Sequence, residues 1–252
     1  MRTRISLSIL VFFITVALCH SQRPLPTGLH WRTAPIELQF GAGTTHYFGD
    51  IGGTTHDNNW LGVRDFEILR SRPAISGAIR FFHSKYLSYG ASASMGWLSG
   101  SDLGGRNELR DYVFNTFIFE PAGRVEYYPL RDLPTRRRGI DSRGMVRNYT
   151  TISAYVFAGA GVVLYRPMPN DNLRQRRERA DIQHGSVAMV FPAGIGAKFG
   201  IRSFVDLGVE IGGRYTMSDY LDGFTSPAAQ ANDIYYITTI SLVYRLGALT
   251  TE

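Results

Sequence analysis

Apolar and polar residues alternate along most of this chain, and the clearest run is V-D-L-G-V-E-I-G-G-R-Y at Val205–Tyr215. Side chains alternate across an extended strand with a period of two. Val205, Leu207, Val209, Ile211 and Tyr215 therefore share one face. Asp206, Glu210 and Arg214 share the other, interleaved with Gly208 and Gly212. A soluble antiparallel sheet can show the same alternation. Here the pattern recurs along almost the whole chain behind an export signal, which is the signature of a barrel with lipid outside and a polar lumen inside.

The pattern predicts eight strands, near residues 35–46, 74–82, 86–98, 114–128, 150–165, 187–199, 205–215 and 235–246. In the first, Ile36, Leu38, Phe40, Ala42 and Thr44 face outward. In the third, Leu87, Tyr89, Ala91, Ala93, Met95 and Trp97 do so, against Ser88, Gly90, Ser92, Ser94 and Gly96. Pro121 inside the fourth strand suggests a bulge, because proline cannot donate to the ladder. The fifth strand is apolar on both faces, and periodicity alone does not orient it. The fold class is thus all-β: an eight-stranded antiparallel up-and-down transmembrane β-barrel with a plugged polar lumen, spanning residues 35–246.

Single-chain barrels of this kind begin and end in the periplasm, with long loops outside and short turns inside. Residues 47–73, 99–113, 166–186 and 218–233 then face outward, and tight turns fall near 83–85 and 200–203. The exception is 129–148, a long stretch on the periplasmic side carrying Arg131, Arg136, Arg137, Arg138, Arg143 and Arg147. A long charged connection is often functional or disordered.

The N-terminus places the barrel in a compartment. Arg2 and Arg4 precede a run, Ile5–Leu18, that is apolar apart from Ser6, Ser8 and Thr15, with small or polar residues at its end at Ala17, Cys19 and Ser21. This reads as a secretory signal peptide over residues 1–21. Residues 22–34 form an N-terminal periplasmic segment, and 247–252 form a C-terminal tail. Cleavage after Cys19 or after Ser21 removes the only cysteine. A rival reading is lipidation at Cys19, which Leu18 suits poorly because that processing prefers a small residue there. The expected location is the outer membrane of a Gram-negative bacterium.

Composition changes this picture little. Mean hydropathy is −0.10, as expected when every second strand residue points into a polar interior. Aromatics make up 13% of the chain and collect near strand ends, as interface girdles require. The formal charge is +6, from 27 basic and 21 acidic residues, and falls to +4 without Arg2 and Arg4.

The inward charges are Glu37, Glu120, Glu126, Asp206 and Glu210 against Arg80, Arg124, Lys198, Arg214 and Arg245. The two sets balance. An interior of about eight strands is just filled by side chains, and buried charges must be paired. A salt-bridged plug is therefore expected, and a channel would need more strands. No catalytic constellation is visible and no cofactor is expected. The G-x-G fragments at Gly41–Gly43, Gly159–Gly161 and Gly194–Gly196 reflect strand periodicity, since they lack a third glycine and a following helix. His46, His56 and Asp57 are a weak candidate metal site at the outer rim, and no serine is tied to His46, His56 or His184.

Arg174, Arg176, Arg177 and Arg179 lie in the third outer loop. They are either a solvated surface or a grip on lipopolysaccharide phosphates, which arginine binds bidentately. The cluster from Arg131 to Arg147 is either a docking site for an acidic periplasmic partner or a mobile turn. Nucleic acid is excluded by the compartment and by the missing aromatic interleaving.

Three stretches carry a family resemblance. Gly41–Asp50 reads G-A-G-T-T-H-Y-F-G-D and resembles the first strand and turn of small barrels from the Bacteroidota. Gly194–Gly200, G-I-G-A-K-F-G, resembles their sixth strand. Gly208–Asp222, G-V-E-I-G-G-R-Y-T-M-S-D-Y-L-D, is similar to the R-x-T-x-T-D-Y-L-D segment that leads out of their seventh. The chain thus resembles the PorG-like outer-membrane proteins of the type IX secretion system. The resemblance implies a non-enzymatic barrel that anchors a periplasmic ring, through a ring lipoprotein and its partner protein, to the outer membrane. Continuation past Leu246 departs from barrels that end on the last strand's aromatic residue. The alternative is a stand-alone small barrel of the adhesin or membrane-stabilising class.

Overall fold

The computed structural model describes residues 35–48, 71–101, 111–136, 150–179, 186–202, 204–223 and 233–246. They form β1 (Ile36–Phe48), β2 (Arg72–Phe82), β3 (Leu87–Ser101), β4 (Val113–Arg136), β5 (Thr150–Pro169), α1 (Asp171–Arg179), β6 (Val187–Arg202), β7 (Val205–Thr216) and β8 (Ile234–Leu246). Each strand pairs antiparallel with its neighbour in sequence, and β1 also pairs with β8, closing the barrel. Closure satisfies the backbone between strands and leaves no open edge, which is what a sheet in lipid requires.

The register fixes the barrel's shape. Directly opposed pairs lead from Ala154 on β5 through Ala197, Val209, Ile240, Ala42, Ile75, Met95 and Phe119 back to β5 at Leu164. Leu164 lies ten residues beyond Ala154, so the shear is ten across eight strands. That stagger inclines the strands by roughly 40°. A row of opposed residues is then a spiral that climbs the wall by roughly 3 Å per strand.

The expected faces are the observed ones. Phe40, Val125, Ile195, Ile240 and Leu242 are exposed on the outside, while Glu37, Arg80, Glu126 and Asp206 are buried inside. Exterior aromatics gather at both ends. Phe81 stacks on Tyr89 and Phe204 meets Tyr244 toward the end where β1 begins and β8 finishes, here the inner end. Trp97 meets Phe117 edge-on toward the outer end. Among the described residues, no helix is long and apolar enough to cross a membrane, and the strands do so instead.

Several expectations need correction. The strands are longer than periodicity suggested, most of all β4, which continues to Arg136. Pro121 causes no bulge: it lies opposite Ala93, and the register with β5 is unbroken between Phe119 and Ala122. The irregularities come later. The β4–β5 ladder shifts between Tyr127 and Leu130, between Leu130 and Leu133, and between Pro134 and Arg136. Each shift gives β4 an extra residue, and an extra residue reverses which face the following side chains occupy. Asp132 sits here with φ of 49°, a left-handed conformation that aspartate tolerates, and its N–H donates to Ser153 Oγ at 2.9 Å. The ambiguous fifth strand is now oriented. Tyr155, Phe157, Val163 and Tyr165 point inward, while Val156, Val162 and Leu164 meet lipid.

Candidate functional site

The lumen is built in layers. At the inner end Lys198 Nζ lies 2.6 Å from Glu37 and donates to Tyr128 Oη at 3.0 Å. Arg245 reaches Asp206 at 2.7 Å and Asp132 at 3.0 Å. Arg131 closes this end, its guanidinium 3.6 Å from the centre of the Phe82 ring.

One level up, two carboxylates organise the network. Glu126 accepts from Arg80 at 2.7 Å and Tyr128 at 2.6 Å, with Ser88 at 3.1 Å and Arg124 2.7 Å away. Glu210 receives both terminal nitrogens of Arg124, at 2.6 and 3.2 Å, and the Tyr155 hydroxyl at 2.9 Å. Arg80 also bonds the Gln39 side chain. Arg124 lies 4.2 Å over Phe157. Room for these rings comes from glycines on β6 and β7. A Cβ at Gly196 would collide with the Tyr155 ring, and Cβ atoms at Gly194 and Gly212 would stand 2.8 and 2.6 Å from Phe157. Higher still, Glu120 accepts from Tyr235 at 2.5 Å and faces Arg214 at 3.5 Å.

All ten lumen charges named from the sequence are buried. Buried Arg131 and partly buried Asp132 join them, pairing at 3.4 Å and keeping the balance neutral. Arg131 is a correction, since it does not lie on a solvent-facing connection. The bulge between Tyr127 and Leu130 reverses the alternation and turns it into the lumen. No single-strand pattern signals this. Tyr128, two residues beyond Glu126 on the same face, was legible from spacing alone. Buried ion pairs of this kind contribute little net stability over an apolar core, but breaking one is costly.

The outer part of the lumen is apolar rather than polar. Ala74, Leu98, Phe114, Ile118, Val163, Val190 and Ile237 form a core that Leu173 of α1 and Leu221 enter from above, both fully buried. Leu221 is held at both backbone atoms: its N–H donates to Asp233 at 2.9 Å and its carbonyl accepts from Thr116 at 2.6 Å. The D-Y-L-D stretch at Asp219–Asp222 is thus where the chain turns in to cap the barrel.

The third outer connection contains a helix where a loop was expected. Asn170 caps it, accepting from the Leu173 N–H at 3.1 Å and donating to the Asp111 carbonyl at 2.7 Å. Arg174 is exposed and pairs loosely with Asp171 at 3.7 Å. Arg176, Arg177 and Arg179 follow on the same helix. Of the other periplasmic arginines, Arg136 ends β4 opposite Thr150. Arg137, Arg138, Arg143 and Arg147 lie outside the described residues, as do the expected signal peptide, the segments 22–34 and 247–252, and His56, Asp57 and His184. His46 neighbours Thr44 and Ser71, at 3.2 and 3.3 Å. Among the described residues no group of three or more His, Cys, Asp or Glu could hold a metal ion.

A closed eight-stranded barrel with an apolar exterior, aromatic ends and a charged, filled lumen is an outer-membrane protein that crosses the bilayer with every strand. The chain belongs to the family described as Domain of unknown function (DUF6089), whose model matches residues 30–249. No curated protein matches it in sequence. Among solved structures it is similar to Neisserial surface protein A (NspA), at 7% identity and a TM-score of 0.46, covering 85% of this chain and 99% of that one. It is also similar to the outer membrane protein OprG from Pseudomonas aeruginosa, at 9% identity, TM-score 0.44 and coverages of 86% and 98%. Ail, the attachment invasion locus protein of Yersinia pestis, solved with the heparin analogue sucrose octasulfate, gives 8%, 0.38, 84% and 97%.

Proposed function

We propose that this barrel is a non-enzymatic component of type IX protein secretion that anchors a periplasmic ring complex to the outer membrane. The sequence support is the resemblance at Gly41–Asp50, Gly194–Gly200 and Gly208–Asp222 to the PorG-like barrels. The observation that carries the reading is the asymmetry of the inner end. β3 begins at Leu87, opposite Tyr127, whereas the β4–β5 ladder continues to Arg136 and Thr150. Among the described residues this hairpin projects furthest toward the periplasm, and the sequence continues from it into Arg137, Arg138, Arg143 and Arg147, so a ring lipoprotein or its partner protein meets it first. At the opposite face, Arg174 with Arg176, Arg177 and Arg179 contacts lipopolysaccharide phosphates, as the bidentate geometry of arginine favours.

The test is crosslinking and affinity capture from outer membranes, comparing the parent with a strain in which Arg136, Arg137 and Arg138 are changed to serine. Ring lipoproteins co-purify with the parent and are lost from the variant if the hairpin docks them. Equal capture by both retains the anchor and moves the docking site elsewhere. Absence of every ring component from the parent refutes the secretion role and leaves a stand-alone barrel.

A further inference from the structure

One row of directly opposed lumen residues has a composition unlike its surroundings. It runs Lys198, Gly208, Ser241, Gly41, Ser76, Ser94, Glu120, crossing seven strands from β6 through the β8–β1 closure to β4. Because the barrel is sheared, the six steps climb roughly 20 Å, most of the thickness of the apolar band. The row starts at the Lys198–Glu37 pair and ends at the Glu120–Tyr235 bond. Between those ends every side chain is a hydroxyl or a hydrogen.

Ser76 Oγ and Ser241 Oγ are buried without a hydrogen-bond partner, as are Arg80 Nη1 and Asp206 Oδ1 beside the row. Ser241, Arg80 and Asp206 are 3%, 0% and 0% exposed. The two serine oxygens lie over the glycines of the row. A Cβ on Gly41 would stand 3.0 Å from Ser76 Oγ and 3.1 Å from Ser241 Cβ, and one on Gly208 would run into Ser241 Oγ. The bulky Tyr155, Phe157 and Arg124 side chains come from β5 and from the inner half of β4. Buried polar groups are almost always hydrogen-bonded, and ordered water satisfies those for which the protein supplies no partner.

We propose that this spiral row is the wall of a water-filled half-channel. A file of water molecules runs from the Lys198–Glu37 pair up to Glu120 and hydrogen-bonds Ser241, Ser76, Ser94 and the free edge of Arg80. It exchanges with solvent at the inner end, past the long charged side chains Arg131 and Arg245, which with Phe82 and Tyr128 line that end among the described residues. It is blind at the outer end, where the apolar core with Leu173 and Leu221 offers water no partner. The charge network is then solvated along one side, and small polar solutes reach the barrel's middle from the periplasm.

Cysteine accessibility tests this in the folded barrel in liposomes, with Cys19→Ser so that no native thiol remains however the N-terminus is processed. Ser76→Cys, Ser241→Cys and Ser94→Cys report on the row, and Ile118→Cys reports on the apolar core. Three row positions keep the test intact if one variant fails to fold, which the mobility of unheated samples detects. The probe is methyl methanethiosulfonate, small and uncharged, with modification read by mass. Row cysteines are expected to react at least about 10-fold faster than Ile118→Cys, since only they contact water. Adding Leu221→Ala should leave those rates unchanged. Row cysteines that react no faster than Ile118→Cys when folded, while all react in urea, overturn the half-channel. A large acceleration by Leu221→Ala also overturns it, by placing the entrance at the outer end.

Discussion

Replacing Glu126 by glutamine keeps the side chain's shape and removes the charge on which the middle of the lumen converges. Glu126 is fully buried and stands within hydrogen-bonding distance of Arg80, Arg124, Ser88 and Tyr128. The two guanidiniums do not lose equally. Arg124 keeps both bonds to Glu210, whereas the nearest remaining carboxylate for Arg80 is Glu210 at 3.7 Å. Arg80 also has Nη1 without a protein partner. Removing one member of a buried pair costs about 3–5 kcal/mol, most of it from the charge left behind. Because that charge is mainly Arg80's, Arg80→Met in the Glu126→Gln background should recover much of the loss. Arg124→Met in the same background should deepen it, by stripping Glu210 of its partner. The assay is reversible urea unfolding of the barrel in lipid vesicles, followed by tryptophan fluorescence and arranged as a double-mutant cycle. A loss below about 1 kcal/mol for Glu126→Gln, the scale of a solvent-exposed ion pair, would refute the account of a tightly buried network. Equal responses to the two arginine substitutions would refute its assignment to Arg80.

Two further perturbations probe the cap and the exterior. Leu221→Ala removes a fully buried anchor and should cost about 2–5 kcal/mol in the same unfolding assay; a value near zero would mean that the Asp219–Asp222 stretch merely rests on the barrel. Ile240→Arg, on the lipid face at mid-height, should destabilise by about 2–4 kcal/mol, and Met217→Arg beyond the outer end of β7 by about 0–1, so equal costs in lipid vesicles would contradict the placement of the bilayer.

The period-two pattern determined much of this protein by itself. Apart from β5, the strands carry apolar residues at alternate positions, and the parity of Asp206, Glu210 and Arg214 against Leu207, Val209 and Ile211 already states which face meets lipid. Charge balance among the inward residues implied pairing without saying who pairs with whom. What the sequence could not carry is everything that depends on two strands at once. The Arg124–Glu210 and Lys198–Glu37 pairs join residues 86 and 161 positions apart, brought together only by closure and a shear of ten. The inward turn of Arg131 depends on a bulge against β5, because one inserted residue reverses the faces of all that follow. The double-sided apolar character of β5 was ambiguous until its inner face met the glycines of β6 and β7. The apolar cap was hidden as well, since Leu173 and Leu221 belong to segments with no strand period. Local alternation fixes what each strand presents, while register, stagger and the return of the loops decide what those surfaces meet.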